Sequence, residues 1–177
     1  MSRETRVGVM NIIDFSALRT LIIDDNIHTR RMLRAILHGL GVRDIKEADD
    51  GATGLESFQT YSPDIILLDW VMPIFDGIEV TRMVRNVDSS PNPFIPIIMI
   101  TAHAERHKVV TARDAGITEF LCKPLSAKAL HDRIVNIVLN PRPFVRTKTY
   151  FGPDHRRNAS LSSAGAKRIE PELIDQR

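Results

Sequence analysis

Five side chains with chemistry to offer stand at the ends of short apolar runs. "RTLIIDD" closes on Asp24 and Asp25, "DIILLD" on Asp69, "PIIMIT" on Thr101, and "TEFLCKP" on Lys123 with Pro124 behind it. Each has an ordinary reading by itself: Asp as a turn former or helix cap, Thr as a β-branched strand residue, Lys as a solvated charge. Those readings do not explain why all of them fall at run ends. Clustered carboxylates repel one another unless a cation neutralises them. Hard oxygen ligands with room for water suit Mg2+. A phosphoryl group needs an in-line nucleophile and positive charge on its equatorial oxygens. Asp69 suits the nucleophile, forming an aspartyl phosphate. Mg2+, Lys123 and the Thr101 hydroxyl would balance the charge.

The elements that must position these residues alternate along the chain. Residues 19–24 have strand composition, and "NIHTRRMLRAILHGLG" places Met32, Leu33, Ile36, Leu37 and Leu40 on one helical stripe closed by Gly41. Residues 43–48 read as a second strand. A short helix then begins at the capping residue Asp50 and ends before Pro63. "DIILLD" (64–69) is apolar on both faces, as a central parallel strand covered by helices should be. A helix over 76–87 offers Ile78, Val80, Met83, Val84 and Val87 to the core. Strand 96–101, a charged helix over 105–115, strand 118–122 and helix 126–139 complete the pattern. Five strands alternating with five helices predict an α/β fold, a doubly wound parallel sheet with helices on both faces. In such a sheet, chemistry gathers beyond the C-terminal ends of the strands, where the run-ending residues would converge.

Bulk composition narrows the classes. The 177 residues are 43% hydrophobic and 26% charged, an ordinary globular balance. The single Cys122 excludes an internal disulfide framework, suits a reducing cytoplasm and is expected in the core. The longest apolar runs stay under ten residues, against about 20 for a membrane span, and the N-terminus is a poor signal peptide. A cytoplasmic protein is expected, with no membrane partner. Residues 141–177 hold eight Lys/Arg against four Asp/Glu, whereas the rest of the chain is mildly acidic.

"LIIDDN", "DIILLDWVMPIFDG", "PIIMITAH" and "FLCKP", in this order and spacing, resemble the receiver domain of bacterial response regulators. The resemblance covers roughly residues 17–140, after an N-terminal extension over 1–16, and implies a flavodoxin-like sheet of order 2-1-3-4-5. It implies that Asp69 is the phosphoacceptor, supplied by a histidine kinase or histidine phosphotransferase. Asp25, Asp69 and the Val71 backbone carbonyl would hold Mg2+, with Asp24 acting through water. Thr101 would reorient towards the phosphate, Lys123 would pair with it, and a cis peptide would join Lys123 to Pro124. Phe120 falls at the family's aromatic switch position. Phosphorylation would then bias the surface of helix 4, strand 5 and helix 5, including Val110 and Arg113. Val71 and His103 occupy the two positions that tune phosphoryl lifetime. Val71 offers no side-chain donor to an attacking water, so moderately slow self-dephosphorylation is expected.

Residues 141–177 read as an extended basic tail, too short for a usual output domain, and a stand-alone receiver is expected. Output would pass to a downstream protein effector, through onward phosphotransfer or through the tail, with homodimerisation a further route. Phe144, Tyr150 and Phe151 are more aromatic residues than a solvated linker needs, and a docking segment is expected, on its own receiver, a second copy or an effector. The competing reading is a pseudo-receiver or an adaptor whose tail binds nucleic acid. The tail's small positive charge supports only weak, salt-sensitive attachment of that kind. An aspartate-nucleophile phosphatase would want a second acid where Val71 stands, and no glycine-rich dinucleotide fingerprint follows the first strand.

Overall fold

The computed structural model describes residues 13–102, 105–156 and 167–169. Five strands, β1 (Arg19–Ile23), β2 (Asp44–Ala48), β3 (Ile65–Asp69), β4 (Ile97–Thr101) and β5 (Glu119–Cys122), alternate with five helices. These are α1 (Ile27–Gly39), α2 (Gly51–Tyr61), α3 (Gly77–Val84), α4 (Arg106–Ala115) and α5 (Ala127–Leu139). The strands form one parallel sheet in the order β2-β1-β3-β4-β5, as expected from the alternation and the family resemblance.

The sheet's two faces explain the continuous apolar runs. Leu21, Ile23, Ile66, Leu68, Ile97 and Met99 pack with Val80, Val84 and Ala112 on one face. Ile22, Leu67, Ile98 and Ile100 pack with Leu33, Leu37, Leu130 and Ile134 on the other. Successive strand residues point to opposite faces, so a sheet covered on both sides must be apolar at every position. β3, at the centre, is buried along its whole length, Asp69 included.

Helix starts follow local hydrogen bonding. The Asn26 side chain accepts the His28 and Thr29 N–H groups, Asp50 accepts that of Thr53, and Asp76 forms a capping box with Glu79. The Asn26 cap starts α1 directly after the strand end that carries Asp24 and Asp25, whereas α3 starts at Gly77 after the loop that follows Asp69. No helix among the described residues is long and apolar enough to cross a membrane.

Three packing expectations need correction. Met32 and Met83 are 41% and 40% exposed, because burial on α1 and α3 is narrower than the apolar stripe of the sequence. α3 stops at Val84, leaving Val87 half-buried in the loop. Cys122 is exposed rather than core, since β5 is an edge strand and its last residue faces outwards.

Past Pro141 the chain adds a second, smaller sheet. β6 (Phe144–Arg146) pairs antiparallel with β7 (Phe151–Pro153) and with β8 (Lys167–Ile169). Each strand is three residues long, too short to leave a two-residue period in the sequence.

Candidate phosphoryl-acceptor site

The register carries the run-ending residues to one edge. Asp69 pairs with Ile100 and Thr101 with Cys122, so β3, β4 and β5 finish side by side, with β1 delivering Asp24 next to them. Asp24, Asp25 and Asp69 each offer a carboxylate oxygen, and these oxygens all lie within 4.8 Å of one another. Lys123 reaches across from β5, its Nζ 2.7 Å from Asp69 Oδ1 and 3.5 Å from Asp24 Oδ2. Residues up to 99 apart in the chain thus share one site.

Their environments differ. Asp24 is 1% exposed and Asp69 is 6% exposed, whereas Asp25 faces solvent. The Asp24 carboxylate accepts the Asn26 N–H at 2.8 Å. The Asp24 carbonyl accepts Arg30 Nη1 at 2.7 Å, and Arg30 is itself held by Glu47. Asp69 Oδ2 accepts the Val71 N–H at 3.0 Å, which fixes the carboxylate's rotation from its own loop. Thr101 is buried at the end of β4, and its carbonyl accepts the Lys123 N–H at 2.7 Å. The Lys123–Pro124 peptide is cis.

Burial raises the Asp24 carboxyl above the ordinary 3.8; the Asn26 N–H opposes this, Asp69 adds to it and Lys123 opposes it. For Lys123, burial acts downwards, but the hydrogen bond and charge of Asp69, helped by Asp24, leave its pKa raised. One ammonium therefore faces three carboxylates. That surplus of hard oxygen charge fits a divalent cation such as Mg2+.

The Asp24 shift has a consequence for stability. A carboxyl whose folded pKa lies above its unfolded value costs the fold when ionised, and the cost is relieved as pH falls through the folded pKa towards 3.8. Asp24→Asn should raise the unfolding temperature at pH 7 without divalent ions. The gain should shrink on acidification, and Mg2+ should stabilise the wild type more than the variant. Thermal melts with and without Mg2+ check this; a less stable variant at neutral pH in the absence of metal would contradict it.

Other predicted residues sit further out. Phe120 is half-buried, its ring 6.4 Å from that of Trp70 in an edge-on arrangement. Trp70 follows Asp69 directly, and Lys108 of α4 places its Nζ 5.9 Å from the Trp70 ring centre. Sequence reasoning missed this link; its available signal was the single Trp of the chain beside the candidate acceptor. Val110 and Arg113 are exposed on α4. Val71 is 61% exposed beside the site. His103 lies outside the described residues. Phe144, Tyr150 and Phe151 lie at the opposite end of the sheet, near Phe94 and Gly116.

The family model of the response regulator receiver domain matches residues 20–135. The chain belongs to this family. Chemotaxis protein CheY of Pseudomonas aeruginosa is 34% identical over 120 residues, which cover 68% of this chain and 95% of that protein. Chemotaxis protein CheY-3 of Vibrio cholerae is 32% identical over the same share of this chain and 91% of its own length. Among solved structures, Vibrio cholerae CheY4 aligns with a TM-score of 0.63 at 29% identity, covering 68% of this chain and 98% of that one. A CheX–CheY–BeF3–Mg2+ complex from Borrelia burgdorferi aligns with a TM-score of 0.62 at 25% identity, covering 70% of this chain and 90% of that one. The receiver is a phosphorelay signalling module rather than an enzyme in the usual sense, and its family binds Mg2+ at an acidic pocket of this kind.

Proposed function

We propose that Asp69 accepts a phosphoryl group from a histidine kinase or histidine phosphotransferase and that the receiver, spanning 17–140, passes the signal to a protein effector in the cytoplasm. The carrying observation is the convergence of Asp24, Asp25 and Asp69 with the Lys123 ammonium at one sheet edge. A carboxylate oxygen of Asp69 attacks phosphorus in line. The bond from phosphorus to the donor atom breaks, and its electron pair leaves with the donor. The product is an acyl phosphate on Asp69.

Asp25, Asp69 and the Val71 carbonyl would hold Mg2+, with Asp24 contributing through water. Bound there, Mg2+ supplies positive charge against the phosphoryl oxygens. Lys123 already touches Asp69 and needs only a small shift to pair with a phosphoryl oxygen. The Thr101 hydroxyl donates a hydrogen bond to the same group. Movement of Thr101 opens space for Phe120, and through Trp70 and Lys108 the change reaches the face of α4, β5 and α5. Intact mass after incubation with Mg2+ and a small phosphodonor tests the reading: one metal-dependent phosphate is expected.

The phosphoryl group should last minutes or longer. The exposed Val71 side chain presents no donor to orient a hydrolytic water. Decay of the adduct after donor removal measures this, and a lifetime of seconds would contradict it.

A further inference from the structure

The family match ends at residue 135, yet the hairpin of β6 and β7 is fixed on the receiver at three points. Arg142 Nη2 lies 3.3 Å from Glu119 Oε1 at the start of β5. His155 Nε2 donates to the Ile117 carbonyl at 2.9 Å, in the turn between α4 and β5. Phe144 and Phe151 close around Phe94, with ring centres 5.1 and 5.4 Å from it. The Phe144 ring also stands 5.2 Å over the guanidinium of Arg85, which is buried at the C-terminus of α3.

Between this hairpin and the end of α4 runs a groove of about 480 Å3. Val145, Tyr150 and Pro153 give it apolar walls, and Arg113 and Arg156 bring two guanidinium groups to it. Apolar walls with a few placed charges are the usual make-up of a binding site. Asp154 also lines the groove, but its carboxylate is buried and held at both oxygens by Arg156. Arg113 is half-exposed and pairs with its exposed neighbour Asp114. Such a pair is worth little in water, so the Arg113 guanidinium is open to a further carboxylate.

The chain carries a segment of matching chemistry. Residues 142–156 hold four Lys/Arg against one Asp, whereas "EPELIDQR" (170–177) holds Glu170, Glu172 and Asp175 against Arg177. The same stretch places the aliphatic pair Leu173 and Ile174 among those carboxylates. By contrast, "RNASLSSAGA" (157–166) has no carboxylate and one large aliphatic residue, Leu161. Connectivity gives 170–177 the reach. β8 flanks β6 on the side away from β7, and Ile169 pairs with Phe144, next to Val145 of the groove. Neighbouring strands lie about 4.8 Å apart, so about 10 Å separates β8 from β7, and four extended residues at about 3.3 Å each cover that distance. Pro171 lacks the N–H that would prolong the β8 ladder. Leu173 and Ile174, four and five residues past Ile169, are therefore within reach of Val145 and Pro153.

We propose that the groove between α4 and the β6–β7 hairpin is a peptide site whose occupant is residues 170–177 of the same chain. Leu173 and Ile174 pack against Val145, Tyr150 and Pro153, and the neighbouring carboxylates face Arg113 and Arg156. The site is selective for an acidic segment with two adjacent aliphatic residues. It is separate from the acidic site at Asp69 and does not depend on phosphorylation.

Paramagnetic broadening in the full chain tests this. A nitroxide is attached at Arg177→Cys, with Cys122→Ser removing the other thiol, and amide intensities are compared before and after the label is reduced. Amides of Arg113, Val145, Thr147, Tyr150 and His155 should lose most of their intensity, while those of β2, at the far edge of the main sheet, keep theirs. Adding Leu173→Ser and Ile174→Ser to the labelled chain leaves the groove itself untouched and should restore the lost intensity. Broadening that survives the double substitution reports tethering alone and overturns the site. Absence of selective broadening overturns it as well, leaving the groove to an external partner. In a mixture of nitroxide-labelled chain at natural isotope abundance with unlabelled nitrogen-15 chain, the groove amides should stay sharp. Broadening there would make a second copy the occupant and overturn docking within one chain.

Discussion

Asp69→Asn should abolish the phosphoryl adduct while leaving the fold intact. The amide matches the carboxylate in shape, and its oxygen can still accept a hydrogen bond from Lys123 or from the Val71 N–H. What it lacks is the negative charge and basicity that make a carboxylate oxygen a nucleophile. Asp24 is too buried to substitute, and its carboxylate is engaged by the Asn26 N–H and by Lys123. Asp25 is exposed and within reach of the same metal position, which makes it the residue to watch. Intact mass of wild type and variant, each with Mg2+ and a small phosphodonor, should show one phosphate and none. A persistent adduct on a folded variant would move the acceptor elsewhere and sink the assignment of Asp69. Losing one of three crowded carboxylates should also leave the variant at least as stable without metal.

Gly77→Ala should damage stability and phosphorylation together. Gly77 opens α3 and donates its N–H to the Trp70 carbonyl at 2.8 Å. A Cβ there would collide with the Asp69 carbonyl oxygen and sit 3.1 Å from both the Trp70 Cα and the Met99 Cε. The Met99 end can swing aside, but the backbone of Asp69 and Trp70 cannot move without displacing the end of β3. The expected loss is about 1–3 kcal/mol, as for over-packing elsewhere in a core. The strand end that yields carries the acceptor, so the phosphorylation rate should fall as well. At Gly39, near the end of α1, a Cβ would meet nothing within 4 Å, and Gly39→Ala should gain about 0.5–1 kcal/mol from helix propensity instead. Denaturant midpoints for the two variants, with phosphorylation rates alongside, check the contrast. A Gly77→Ala protein as stable and as active as wild type would show that β3 has slack at its end.

The central sheet and the chemistry at its edge are legible in the amino-acid order alone. A strand covered on both faces must be apolar at every position, so β3 announces itself as a continuous run that ends abruptly on a carboxylate. Parallel strands all end at one edge, so polar residues closing successive runs had to meet, whatever their separation in the chain. Asp24, Asp25, Asp69 and Lys123 could be picked out for that reason. Helix faces were less readable: the stripe on α1 included Met32, but the width of a buried face depends on the neighbouring elements, which local periodicity does not report.

Arg85 and the C-terminal sheet took their roles from folding. In sequence, Arg85 falls inside the helix expected over 76–87, where it reads as any solvated arginine might. Its guanidinium turns inwards because carbonyls from Pro93 and Gly116, 8 and 31 residues further along, are brought to it. The strands β6 and β7 are too short to show a period, and their aromatic residues gain a partner only when the fold presents Phe94. Local pattern records what a residue needs from its own element. Contacts made between elements are recorded nowhere until the chain has folded.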